Sequence, residues 1–294
     1  MEDSLSRREF LEASAGVAVG AGLVATQVAA SAQESKSPLK KALIFSMLPR
    51  DLSMEGKFQL AKAVGFDGVE IAPVDEAQAQ AMRAAAEKAG VRIHSIIFGG
   101  WHAPLSSADA TVIERGLRDM QSALRCAKTV GADVVLLVPA VVNESTRYVE
   151  AYERSQKHIR TLIPLAQELG VVIAVENVWN KFLLSPIEFA RYVDEFESPF
   201  VRAYFDVGNV VLFGFPQDWI RTLGKRIVKV HLKDFKQQSN QFVALREGDV
   251  NWKEVRRALD EIGYADFLTT ELPGGDEAYL RDVSARVDKI IAGE

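Results

Sequence analysis

The chain has very little cysteine: Cys126 is the single one among 294 residues. No intrachain disulfide can form, even in a compartment that would permit one. Cys126 falls in the helical stretch Thr111 to Val130 with apolar Val112, Leu117 and Leu124, and no histidine accompanies it. It therefore reads as a buried structural thiol rather than a nucleophile. A basic excess is also missing. Thirty-five Lys and Arg against 40 Asp and Glu give a formal net charge of −5 and a pI near 5.6, which argues against a nucleic-acid or anionic-membrane surface. The ten prolines form no low-complexity block, and no strand candidate is followed by a GxGxxG turn, which argues against a Rossmann fold. What is plentiful is material for a core, since 48% of the residues are hydrophobic and 26% charged. That suffices for one large domain of α/β-barrel size.

The first 32 residues read as a targeting segment. Ser6-Arg7-Arg8-Glu9-Phe10-Leu11 is a twin-arginine pattern, Ala13 to Ala30 is rich in Ala, Gly and Val, and Ala30-Ser31-Ala32 is a small-x-small cleavage site. The apolar run is too short and too rich in Gly and Ala for a good bilayer span, so no stable membrane anchor is expected. The expectation is export by the twin-arginine route to the periplasm. Because that route carries folded proteins, a metal could be loaded before export. Residues 33–38 form a polar linker, and the fold occupies 39–294.

Strand and helix patterns then alternate eight times. The strands read as Ala42 to Met47, Asp67 to Ala72, Val91 to Phe98, Asp133 to Pro139, Val171 to Asn177, Val201 to Val207, Ile227 to Asp234 and Asp266 to Leu272. Most are short and continuously apolar, as parallel strands buried on both faces should be. Gly65, Gly90, Gly131, Gly170 and Gly263 stand just before strands, where a left-handed glycine ends the preceding helix. Ser185-Pro186 and Phe215-Pro216 read as helix starts. The segments Asp75 to Lys88, Tyr148 to Leu169 and Ala278 to Ile291 carry apolar residues at three and four spacing. Eight such units predict an α/β fold, a single (β/α)8 TIM barrel.

Each of the last four strands ends on a side chain able to hold a divalent metal: Glu176, Asp206, His231 and Glu271, roughly 25 to 40 residues apart, the length of one strand-helix unit. In a barrel these ends converge on one mouth. Three carboxylates that close repel one another and call for a counter-charge, which a divalent cation supplies. The donor set suits Mn²⁺, Mg²⁺, Co²⁺ or Fe²⁺, with Zn²⁺ also admissible, and argues against a closed thiolate-type zinc site. Any one of these residues could instead cap a helix or pair with a lysine. All four at matching ends of buried strands would be costly without a shared purpose.

The runs VENVWNKFLLSP, YFDVGN, KVHLKDF, EGDVNW and TTEL, with their Glu, Asp, His, Glu order, resemble the xylose-isomerase-like barrel superfamily, and within it the sugar (phosphate) isomerase/epimerase branch. The resemblance covers the chain beyond the targeting segment. It implies one divalent metal, most often Mn²⁺, held by Glu176, Asp206, His231 and Glu271, and proton transfer through a cis-enediolate with Glu176 and Glu271 as the two proton carriers. Two positions depart from the family pattern. Asn209 stands where the epimerases often carry a substrate-contacting histidine, and it cannot act as a cation or proton relay. Trp179 to Phe182 occupy a stretch where they often carry a further acid.

Around the mouth, Trp101, His102, Asn209 and Lys233 are the candidate substrate contacts. His94 reads as a hydrogen-bonded strand histidine, and Glu70 faces either the same pocket or a lysine. Asn177 and Lys233 are candidates for supporting the ligands, although alternation is expected to turn both away from the barrel axis. Trp219 and Trp252 read as packing residues. Export, and no clear basic or glycine-rich phosphate cradle at the loops after strands seven and eight, favour an unphosphorylated ketose, a keto-sugar or a cyclitol derivative as the small-molecule partner. Three rival readings keep the fold: a lyase or dehydratase acting on a 3-keto-glycoside or inosose, a non-catalytic sugar-binding protein, and a phosphodiester hydrolase. The last lacks the extra metal ligands and the basic face it would need. Assembly into a homo-oligomer is left open.

Overall fold

The computed structural model describes residues 39–294; the expected export signal and linker lie outside the described residues. Eight parallel strands close into a barrel, in the order β1-β10-β7-β6-β5-β4-β3-β2. They are β1 (Lys40–Ile44), β2 (Gly68–Ile71), β3 (Arg92–Gly99), β4 (Val134–Leu137), β5 (Val172–Glu176), β6 (Val201–Asp206), β7 (Ile227–Leu232) and β10 (Phe267–Thr270). The described residues form eight α-helices: α1 (Met54–Ala63), α2 (Glu76–Ala89), α3 (Ala110–Val130), α4 (Tyr148–Leu169), α5 (Pro186–Asp194), α6 (Pro216–Leu223), α7 (Trp252–Glu261) and α8 (Glu277–Ala292). The expected (β/α)8 barrel is what forms.

Local chemistry sets the element ends. Ser53, Asp75, Asp109, Ser185, Asn251 and Asp276 each accept a backbone N–H at a helix start, satisfying donors the helix cannot pair itself. Pro186 and Pro216 occupy first turns, where a missing N–H costs nothing. The five glycines ahead of strands all have positive φ. Cys126 is buried in α3, and burial pushes its thiol pKa up.

Two strand expectations change. The first strand stops at Ile44, and a 3-10 turn covers Phe45–Met47. The seventh stops at Leu232, and the chain then forms an antiparallel hairpin, β8 (Asp234–Lys236) with β9 (Gln241–Val243). The cause is Asp234, whose buried carboxylate accepts the N–H groups of Phe235 at 3.0 Å and Arg246 at 2.8 Å and the Trp252 indole at 2.9 Å. Gly248 approaches so closely that a Cβ would overlap that carboxylate.

The barrel axis is polar at both ends. Near the N-terminal strand ends the Lys229 ammonium, its side chain 1% exposed, lies 3.0 Å from Asp133 and 2.8 Å from Asp266. Above it His94 stacks on Phe267 with centroids 4.3 Å apart, and its Nε2 lies 3.1 Å from Thr269 Oγ1. Burial first, then the Lys229 charge, holds His94 well below the usual imidazole range. Gly68 makes room for this stack, since a Cβ there would sit 2.5 Å from Phe267 Cε1 and 3.1 Å from His94 Cδ2. Gly68→Ala is therefore expected to destabilise the barrel by about 1–3 kcal/mol through overpacking. Urea unfolding measures this, and a loss within experimental error would show that the stack yields.

Candidate metal centre

Parallel strands bring side chains of like parity to the same height inside a barrel. Asp206 pairs with His231 across β6 and β7, and Thr269 pairs with His231 across β10. Glu176 closes β5, and Glu271 follows β10 directly. The result is a group in which one ligand atom from each of Glu176, Asp206, His231 and Glu271 lies within 4.8 Å of the others. Three of the four are buried.

His231 is the hub. Its Nδ1 lies 2.9 Å from Glu176 Oε1, 2.9 Å from Glu271 Oε2 and 4.0 Å from Asp206 Oδ2. Its Nε2 lies 2.7 Å from Oε2 of Glu70, which reaches across from β2. Glu70 is fully buried and also accepts from Ser95 Oγ and, at 3.0 Å, from Tyr204 OH. With Nε2–H donated to Glu70, Nδ1 is the nitrogen that would face a cation once its proton is released, the arrangement that orients histidine ligands in metal sites.

Lys233 also enters the group, at 3.1 Å from Asp206 Oδ2 and 2.7 Å from Glu271 Oε2. The expectation that alternation turns it from the axis does not hold. Lys233 lies two residues past His231, so it shares that residue's face. Asn177 ties β5 to β6, donating to the Asp206 carbonyl at 2.9 Å and accepting its N–H at 2.9 Å. The Asn209 N–H donates to Asp206 Oδ1 at 2.8 Å, and its side-chain amide donates to the Asn177 carbonyl at 2.9 Å.

The charges are strongly coupled. Burial pushes Glu176 up to about 7, with His231 opposing. Burial also raises Asp206, opposed by Lys233. For Glu271 burial is outweighed by the His231 and Lys233 charges, which bring it down to about 2. His231 is raised well above the usual range because Glu70 and Glu271 overcome its burial, and Lys233 is raised by Asp206 and Glu271 in the same way. With Glu70 counted, four carboxylates face one imidazolium and one ammonium, so full ionisation leaves negative charge uncompensated. Asp206 Oδ2 and Glu271 Oε2 are buried and accept no hydrogen bond of normal geometry. Three carboxylates and one imidazole, with two such oxygens turned inward, fit a hard or borderline divalent cation.

Of the candidate substrate contacts, Trp101, Asn209 and Lys233 line a cavity of ≈ 350 Å³ together with Glu176 and Glu271. His102 does not line it. Its Nε2 lies 2.8 Å from Asp119 Oδ2 of α3, which draws the ring toward solvent. His94 is held at Thr269, below the site. Trp219 and Trp252 are buried, 5% exposed each. Trp179 and Phe242 line the cavity without having been expected there. Phe242 comes from the β8–β9 hairpin and Trp179 from the loop after β5.

A closed parallel barrel with acids and an imidazole at its C-terminal mouth defines a class, and residues 58–289 match the xylose isomerase-like TIM barrels, the family to which this chain belongs. Among curated proteins it is similar to the L-ribulose-5-phosphate 3-epimerase UlaE of Escherichia coli O1:K1, at 29% identity over 255 residues, covering 79% of this chain and 89% of that protein. Among solved structures it is similar to an L-ribulose 3-epimerase, with TM-score 0.75 and 17% identity over 86% of this chain and 95% of the other. The E. coli 3-keto-D-glucoside 4-epimerase YcjR shares the fold with TM-score 0.74 and 16% identity, over 86% and 100% of the two chains.

Glu70 is the residue through which this geometry can be tested. Glu70→Gln replaces the carboxylate behind Nε2, and if the cluster holds a divalent cation, its affinity, probed with Mn²⁺, is expected to fall about 10- to 100-fold. Titration calorimetry checks this, with circular dichroism controlling for folding. Unchanged affinity would exclude the orienting role.

Proposed function

We propose that the chain is a divalent-metal-dependent isomerase or epimerase of a sugar or keto-sugar, acting by proton transfer through a cis-enediolate. The observation that carries this reading is the 4.8 Å cluster of three carboxylates and an imidazole at the barrel mouth. The activities for which the relatives are named, 3-epimerisation of L-ribulose 5-phosphate and of L-ribulose, support it. Glu176, Asp206, His231 and Glu271 would hold the cation, with Mn²⁺ the first choice and Mg²⁺, Co²⁺, Fe²⁺ or Zn²⁺ compatible with the donors. Bound there, a divalent cation supplies fixed positive charge opposite the oxyanion that develops as a carbon next to the carbonyl loses its proton.

The protein's own groups divide the remaining work. Glu176 and Glu271 come from strands separated in the barrel by β6 and β7, so they approach a bound sugar from different sides. One carboxylate takes the C–H proton while that bond's electrons move toward the carbonyl oxygen. The other returns a proton to the opposite face of the same carbon, inverting it. Lys233, on the cavity wall, donates to a substrate oxygen. Asn209 fixes Asp206 through its N–H and contributes no proton of its own. Trp101 lines the outer part of the same space.

If the first step is followed by loss of a leaving group, the protein is a lyase on a 3-keto-glycoside or inosose. Asn209, which cannot relay a proton, is the observation on that side. Glu176→Gln and Glu271→Gln are each expected to lower solvent-deuterium incorporation into candidate keto-sugars by about 10²–10⁴-fold. Mass spectrometry of recovered sugar separates an exchanged epimer from an unsaturated product, and full activity after chelation and dialysis would overturn metal dependence.

Twin-arginine export to the periplasm remains part of the proposal. Replacing both Arg7 and Arg8 by Lys is expected to retain the protein in the cytoplasm. Cell fractionation tests this, and an unchanged periplasmic share would refute it.

A further inference from the structure

We infer that Trp101, Trp179 and Phe242 form an outer subsite for the group on the substrate's anomeric oxygen, so that the substrate is a glycoside carrying its carbonyl on a ring carbon. This rests on the function proposed above and narrows its substrate class. The three side chains are 52%, 43% and 45% exposed, and all three line the cavity that also contains Glu176 and Glu271. Large aromatic faces left in water around one opening are costly unless something covers them. The platform is braced. Trp179 and Phe242 stack with centroids 5.0 Å apart at 25°, and the Trp179 indole N–H is already spent on the Asn209 carbonyl at 2.9 Å. Phe242 rides on the β8–β9 hairpin, whose backbone is pinned through Asp234. With Phe242 covering one face of the indole, what Trp179 offers a ligand is its remaining ring surface, suited to the C–H face of a second sugar or to an aryl group.

Charge weighs against a phosphate in this cavity. The lining includes one cation, Lys233, which already faces Asp206 and Glu271. A phosphate dianion would meet Glu176 and Glu271 without a guanidinium or a second ammonium in the lining. A free ketose would occupy the polar part and leave the aromatic rim wet. Once the anomeric carbon is locked in a glycosidic bond it cannot be the carbonyl, so the ketone must be a secondary ring position. The reaction class that supplies such a substrate is the dehydrogenation of a ring hydroxyl.

The test uses Mn²⁺-loaded full-length protein and unreactive probes, with dissociation constants from calorimetry. Phenyl β-glucoside and cellobiose are expected to bind about tenfold more tightly than glucose, as one to two stacking contacts would give. Glucose 6-phosphate should gain nothing over glucose. Trp101→Ala and Phe242→Ala should each reduce the glycoside preference, and comparing the two probes tells an aryl from a sugar occupant. Tightest binding of glucose 6-phosphate, or a glycoside preference that survives both substitutions, overturns the subsite. Because the probes do not react, a retained preference without any proton exchange would sink the proposed activity and leave the subsite standing. Exchange on free ketoses without a glycoside preference would do the reverse.

Discussion

The mutual repulsion of acids crowded around one imidazole is the constraint on which the rest of the structure depends. Glu70 and Glu271 stand on opposite sides of His231, with Glu176 beside Glu271, each within 2.9 Å of a ring nitrogen. Carboxylates at such separations cannot all stay ionised without positive charge among them. His231 and Lys233 supply part of it, which is why both are raised, while burial moves Glu176 toward neutrality. Burial raises the stakes, since charges removed from water hold only when paired. The proposed cation completes this balance. Its arrival would displace a proton from Nδ1, so metal binding and proton release are coupled at this residue.

The barrel makes such a concentration of charge affordable by separating it from the stabilising core. Apolar residues pack between strands and helices, while the axis carries Lys229 at one end, the His94–Phe267 stack in the middle and the acids at the other. Tyr204 joins the upper two levels, with its hydroxyl on Glu70 and its ring 4.4 Å from that of His231. The groups that orient the site are thus held by side chains from β2, β3 and β6. A perturbation at the mouth need not propagate into the helical shell.

The fold and the four acid and imidazole positions were legible because both follow from local rules. Strand runs, glycine stops and proline starts depend on neighbours in sequence, and strand-end placement then follows from parallel topology. Tyr148–Leu169, for example, spans the residues its periodicity indicated. What escaped depended on contacts distant in sequence. Glu70 and His231 are 161 positions apart, so the partner of Glu70 could not be read from its surroundings. His102 turned outward because Asp119 of the following helix captures it. The hairpin was readable in part: Asp234-Phe235-Lys236 and Gln241-Phe242-Val243 each centre a phenylalanine on either side of a polar turn. The run of β7 into Asp234 hid it, and only the convergence of loop N–H groups on the Asp234 carboxylate shows why the strand must end.

Asn209 is best understood through this same network. Its N–H occupies Asp206 Oδ1 and leaves Oδ2 pointing into the cluster, while its amide group braces the Asn177 carbonyl. Asn177 in turn brackets the Asp206 backbone on both sides, and the Trp179 indole holds the Asn209 carbonyl. The asparagine therefore links the proposed ligand to the aromatic rim. Two of its contacts run through its backbone N–H and carbonyl, and its side chain adds the donor to the Asn177 carbonyl. The asparagine is thus an ordered part of the wall beside Asp206. On the reading proposed above, recognition of the substrate's outer part falls to Trp101, Trp179 and Phe242.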